Sequence, residues 1–198
     1  MDCCKGKKTI LATIKNSFLR RNTSNSEVAP ERKKKLVLIG TPNVGKSVIF
    51  NRLTGSYVVV SNYPGTTVEV SRGTGNIKGE LFEVIDTPGM YSLLPITDEE
   101  RVTRTLLLNE KPDIVAHVVD GTNLERMLPL TSQLIEAGTP VILIVNMMDE
   151  AKKLGISIDI EKLSLRLGIP VVGTAAALDI GIDELRRKVA EYEHNRAA

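Results

Sequence analysis

The sequence predicts an α/β domain: a mostly parallel six-stranded sheet with helices on both faces. Two observations predict it. From residue 35 onward, short apolar and β-branched runs alternate with helix-like segments. Each polar motif follows directly on such a run, where ligand loops sit at the carboxyl ends of parallel strands.

The elements follow in order. Residues 36–39 are the first buried strand. Runs 68–75 and 81–85 lie close enough to form a hairpin. Runs 114–119, 141–145 and 170–172 supply three more strands. Between them, 46–53, 98–109, 124–137, 160–167 and 182–193 have helical spacing. No internal repeat or low-complexity tract interrupts the pattern.

A chain of 198 residues with 42% hydrophobic side chains is one ordinary domain with a proper core. The net charge of +2 hides an asymmetry. Residues 1–35 carry ten Lys/Arg against three Asp/Glu, leaving 16 against 21 for the rest. We therefore divide the chain into a basic extension, 1–34, and a domain, 35–195. Within the extension, Ile10, Leu11, Ile14 and Phe18 fall near helical spacing among basic residues, and the polar stretch 21–31 reads as a linker. Such a segment suits anionic lipid or a membrane partner, against the plainer reading of a solubilising tail. The only cysteines, Cys3 and Cys4, are adjacent and cannot staple a fold; they read as free thiols of a reducing compartment. No apolar run reaches the length of a membrane span, and no secretory signal is expected.

Gly40-Thr41-Pro42-Asn43-Val44-Gly45-Lys46-Ser47 matches G-x-x-x-x-G-K-[ST] between a strand and a helix, the context of a phosphate loop. The domain is thus expected to be a P-loop NTPase. Its glycines let successive N–H groups face phosphate oxygens, and the helix N-terminus adds its positive end. Lys46 is expected on the β- and γ-phosphates and Ser47 on Mg²⁺. The expected nucleotide set in this loop is Gly40, Asn43, Val44, Gly45, Lys46, Ser47 and Val48.

Asp86-Thr87-Pro88-Gly89 ends the run 81–85. Alone it reads as a turn. At a strand end, 39 residues after Ser47, Asp86 is expected to hold Mg²⁺ and the Gly89 N–H a γ-phosphate. Asn146-Met147-Met148-Asp149 ends the run 141–145. A carboxylate there pairs with the ring N–H and amine of guanine and repels the lone pair of adenine, so Asp149 is the expected base selector. The competing reading is a helix N-cap. Asn146 is expected to tie neighbouring loops, beside Met147. Thr174, Ala175 and Ala176 form a weaker fourth motif, whose backbone is expected near the guanine carbonyl. The polar loop 61–69 is expected to bring Thr67, or else Thr66, onto Mg²⁺ when the γ-phosphate is present. Asp98, Glu99 and Glu100 read as a helix start. His117 and His194 have no partner that suggests catalysis.

The segments GTPNVGKS, SNYPGTTVE, DTPGMYSL, NLERMLPL, NMMDEAKKLGISID and LGIPVV together resemble the cytoplasmic G domain of the ferrous iron transport protein B family, over roughly 35–193. Era- and MnmE-like GTPases of ribosome assembly and tRNA modification are the nearest rivals. The resemblance implies slow, Mg²⁺-dependent GTP hydrolysis, coupled to ferrous iron transport through a membrane domain, at the inner face of the cell membrane. It also implies activation by K⁺, with Asn43 a side-chain ligand and, with Lys46, a catalytic residue. A cation there would counter charge that develops on the β–γ bridge. Met90 stands where other G proteins place a water-orienting glutamine, as in the family. Met147 replaces a common lysine and Ala175 a usual serine, which implies modest affinity and fast exchange. The family's helical and membrane domains have no counterpart here, so the transport partner is expected elsewhere, with the chain either part of a longer protein or a stand-alone G protein. Two alternatives remain open. One is a GTP/GDP-sensing module with negligible hydrolysis. The other is an RNA-directed GTPase, for which no nucleic-acid-binding motif speaks.

Overall fold

The computed structural model describes residues 33–55 and 58–197. The basic extension up to residue 32, with Cys3 and Cys4, lies outside them.

The chain runs β1 (Lys34–Ile39), α1 (Lys46–Leu53), β2 (Val58–Asn62), β3 (Glu69–Ile77), β4 (Glu80–Asp86), α2 (Asp98–Glu110), β5 (Ile114–Asp120), α3 (Leu124–Glu136), β6 (Val141–Asn146), α4 (Met148–Lys153), α5 (Ile160–Leu167), β7 (Val171–Gly173) and α6 (Ile182–Ala197). The strands form one sheet in the order β2-β3-β4-β1-β5-β6-β7. β4, β1, β5, β6 and β7 are parallel, while β2 and β3 join as an antiparallel hairpin at one side. β1 begins at Lys34, the last residue assigned to the extension.

The central strands are buried on both faces, which is why they read as continuous apolar runs. Leu36, Leu38, Val84, Ala116 and Ile144 pack toward α1 and α6. Val37, Ile39, Ile85 and Val115 pack on the other face with Val102 and Leu106 of α2 and Leu130 and Leu134 of α3. α2 starts on a capping box: the Thr97 hydroxyl accepts the Glu100 N–H, and the Glu100 carboxylate accepts the Thr97 N–H. The acidic trio at 98–100 is thus a helix start.

The expected six strands are seven. The added one, β2, takes in Ser61 and Asn62, which the sequence suggested were loop. All five of its residues are exposed. With no buried face it shows no alternation, so periodicity could not reveal it; only its ladder to β3 makes it a strand. The short α4 was also missed, since six residues carry too little pattern to register.

His117 of β5 is fully buried, its Nδ1 paired with the Thr131 hydroxyl at 2.9 Å and its Nε2 without a partner among the described residues. Burial pushes its pKa down to about 3. The folded pKa lies below the unfolded one, so the neutral ring's contribution is intact above about pH 6.5 and is lost as pH falls toward 3. Between pH 7 and 5 this site alone is expected to remove about 2 kcal/mol of stability. Urea unfolding of the protein and of His117→Phe across this range should show the shallower slope in the variant; parallel profiles would refute the assignment.

Candidate functional site

Four loops meet at the carboxyl ends of β1, β4, β6 and β7. The first leaves β1 and turns into α1. Gly40 opens it at φ +150°, where a Cβ would lie 2.2 Å from the Val118 carbonyl oxygen. Asn43 adopts a left-handed conformation, φ 65°, with its side chain exposed. Gly45 caps α1 at φ +87°, with no side-chain bond to the first-turn N–H groups. A Cβ at Gly45 would lie 2.3 Å from the Asn146 amide nitrogen. The loop therefore presents unshielded backbone donors at the positive end of a helix. Val44 is buried, whereas Val48 is exposed on the first turn of α1.

Lys46 lies at the centre, only 8% exposed. Burial lowers its pKa; the nearby charges of Asp86 and Glu99 oppose that shift. Across from it the Ser47 hydroxyl donates to Asp86 Oδ2 at 2.7 Å. Burial raises the Asp86 pKa, against the Ser47 bond and the Lys46 charge. Its second oxygen, Oδ1, is buried and accepts no hydrogen bond from any described residue. The turn after Asp86 is pinned: the Thr87 hydroxyl donates to the Leu38 carbonyl at 2.9 Å, and the Met90 N–H to the Gly40 carbonyl at 3.0 Å. Gly89 thus lies directly against the first loop.

On the other side, Asn146 joins three loops. Its Nδ2 donates to the Val44 carbonyl at 3.0 Å, while its Oδ1 accepts from the Thr174 hydroxyl at 2.9 Å and the Ala176 N–H at 3.0 Å. Met147 takes a left-handed conformation, φ 60°, and so turns the chain from β6 into α4. Asp149 sits in the first turn of α4, half-buried, and accepts no hydrogen bond from any described residue. It is therefore not the N-cap, a position that Met147 holds. The N–H groups of Thr174, Ala175 and Ala176 are all engaged inside the protein, by the Val145 carbonyl, the Ile180 carbonyl and Asn146.

Thr67 is not brought to Ser47 or Asp86 by any hydrogen bond. It is exposed and lines a groove with Asp98, Arg101, Val102 and Thr105 of α2. The Thr66 hydroxyl closes its own turn: it donates to the Tyr63 carbonyl at 2.9 Å and accepts the Val68 N–H at 3.2 Å. Two fastenings escaped sequence reasoning. Gln133 accepts from the Leu93 N–H and the Ser92 hydroxyl, and Glu100 accepts from the Tyr91 and Ile96 N–H groups. The capping signature Thr97-x-x-Glu100 was the only sequence signal for either.

The arrangement offers a cradle of N–H groups, a buried ammonium and a hydroxyl–carboxylate pair with one spare oxygen. These fit a phosphate chain and a hard divalent cation. The family model for ferrous iron transport protein B matches residues 34–189. The chain belongs to the ferrous iron transport protein B (FeoB) family. A Porphyromonas gingivalis Fe(2+) transport protein A/Fe(2+) transporter FeoB fusion protein is 47% identical over 152 residues, which are 76% of this chain and 18% of that protein. The structure of the Methanococcus jannaschii FeoB G domain has 43% identity and a TM-score of 0.72, covering 83% of this chain and 99% of that one. The T. maritima FeoB cytosolic domain in a GDP form has 42% identity and a TM-score of 0.78, covering 83% and 64%. The chain spans about a fifth of the length of the curated FeoB relatives.

Truncating Asn146 leaves three buried polar groups without partners. Asn146→Ala should lower the unfolding free energy by about 2–4 kcal/mol, measured by urea titration. A loss below about 1 kcal/mol would mean that the three loops hold together without it.

Proposed function

We propose that this chain is a guanine-nucleotide switch that binds GTP or GDP with Mg²⁺, hydrolyses GTP slowly, and regulates ferrous iron transport by a membrane portion of a FeoB protein. The observation that carries the reading is the Ser47–Asp86 pair with its unpartnered Oδ1. A buried carboxylate with a spare oxygen beside a buried lysine calls for two missing charges, a cation for Asp86 and phosphate for Lys46. GDP is named for relatives from T. maritima and S. thermophilus. Iron is named for the full-length transporters. The set fits residues 35–195 acting as the G domain on the cytoplasmic side. The basic extension, 1–34, would face anionic lipid or the membrane portion.

On this reading the N–H groups from Gly40 to Ser47, with Val48 behind them, hold the phosphates. Lys46 bridges the β- and γ-phosphates. Ser47 and Asp86 would hold Mg²⁺, with Thr67 a further ligand once its loop left α2. Bound there, Mg²⁺ would supply charge neutralisation for the phosphate chain. The Gly89 N–H meets the γ-phosphate. Asp149 pairs with guanine, Met147 flanks the base, and Thr174, Ala175 and Ala176 shape its pocket, their own N–H groups being spent. Asn43, exposed on the loop and with no hydrogen bond to any described residue, would help hold K⁺. The terminal phosphoryl group passes to water through positioning and electrostatics. Met90 is fully buried and can orient no water, which supports slow turnover and favours a sensing role over rapid catalysis.

Phosphate release from GTP with Mg²⁺ should run faster in potassium than in matched sodium buffer. Asn43→Ala should abolish the difference and slow the potassium rate about tenfold, about 1.4 kcal/mol of barrier. Equal rates in both salts would remove Asn43 from the reaction.

Asp149→Asn replaces an acceptor by a donor opposite the position where guanine has an amine and xanthine a carbonyl. Affinity for GDP should fall at least about a hundredfold while xanthosine diphosphate gains. An unchanged preference, read by nucleotide competition, would place the base elsewhere.

A further inference from the structure

The two edges of the sheet are built differently. β7 has only three residues, Val171–Gly173, and a short edge strand gives little for another chain to pair with. β2 has five, Val58–Asn62, all exposed. Val58, Val59 and Val60 are 41%, 57% and 56% exposed. None of the devices that protect an edge is present in this strand: its sequence, VVVSN, holds no charge and no proline.

The outward backbone groups can be assigned. The Tyr63 N–H donates to the Val68 carbonyl at 2.8 Å, so 63 and 68 face each other as a hydrogen-bonded pair. Antiparallel pairs alternate, so Ser61–Val70 and Val59–Arg72 are bonded too. Val58, Val60 and Asn62, opposite Gly73, Ser71 and Glu69, therefore turn their N–H and C=O groups away from β3. That leaves three donors and three acceptors on an edge that no other described strand pairs with.

We propose that the free edge of β2 pairs with β2 of a second copy of this chain, antiparallel about a two-fold axis through Val60. In that register Val60 faces Val60 of the partner copy, and Val58 faces Asn62 on either side of the axis. The three facing pairs can each exchange two backbone hydrogen bonds, so all the outward groups are satisfied. The strand is self-complementary, as a closed two-fold contact requires. No charge lies on either copy of β2 to oppose the approach, and β-branched pairs meet on the pleated surface. A five-residue ladder is a small contact, so the dimer is weak, with a Kd on the order of 100 μM. Pairing restrains the strand that leads into the 63–68 loop and Thr67. The inference stands on the sheet edge and does not depend on nucleotide chemistry.

Sedimentation velocity of the 198-residue chain at loadings from about 10 to 500 μM tests it. The weight-average mass should rise toward the dimer, and hydrogen exchange at Val58, Val60 and Asn62 should slow with concentration. Val60→Pro removes one outward N–H but no bond of the β2–β3 ladder, so it should leave the fold intact and hold the chain monomeric. Val60→Glu sets two carboxylates face to face on the axis and should do the same, whereas Val60→Thr should associate like the parent. A parent chain monomeric throughout would overturn the proposal. So would undiminished association of both Val60→Pro and Val60→Glu, which would place any dimer contact on another surface.

Discussion

One buried amide holds the site in shape. Asn146 ends β6, and its side chain reaches β1's loop on one side and β7's loop on the other. All three partners are buried, so each bond replaces one that water can no longer make. The same side chain explains a glycine: its nitrogen fills the space that a Cβ of Gly45 would need. The loop's backbone path, and with it the direction of its free N–H groups, is set partly by a residue about a hundred positions away. An aspartate here could not donate to the Val44 carbonyl, and a glutamine is too long for the gap.

The other half of the site is organised by unmet charge. Lys46 and Asp86 are both buried, and burial moves each toward its neutral form. Their mutual attraction opposes this without offsetting it. Such a pair is costly by itself, and it gains most from a ligand that brings charge of both signs. A metal–phosphate complex does so. The Ser47 hydroxyl holds one Asp86 oxygen in place and leaves the other open, so the pocket is preformed on this side.

What could be read from the sequence follows this division. Gly40, Gly45, Lys46, Ser47 and Asp86 are legible because the chemistry admits few residue types at those spacings, and the strands before them are long apolar runs. Asn146 was legible as a tie between loops for the same reason. β2 was not, because a strand exposed on every residue carries no alternation to read. Nor was the state of the Ala175 and Ala176 N–H groups, which depends on contacts with Ile180 and Asn146 that only the folded chain makes. The position of Thr67 belongs to the same class: it follows from how the 63–68 loop packs on α2, and no local pattern encodes that.

These differences give the site an asymmetry that suits a switch. On the side proposed for the base, the fourth loop has spent its donors internally, and Asn146 fixes its spacing to the phosphate loop. The Asp86 turn is also fixed, through Leu38 and Gly40. The segment 91–97 is held by Gln133 and Glu100. The one predicted ligand outside this framework is Thr67, whose loop is closed on itself by Thr66 and rests on α2. On the proposed reading, a nucleoside diphosphate would meet nearly all its partners without rearrangement. On that reading, only a ligand that offers further charge beyond the β-phosphate would draw the Thr67 loop from α2, and it would have to do so with its own differential binding energy. The proposed switch would thus separate affinity, which the rigid side supplies, from the report of which nucleotide is bound, which would fall to a loop that β2 delivers to the pocket's edge.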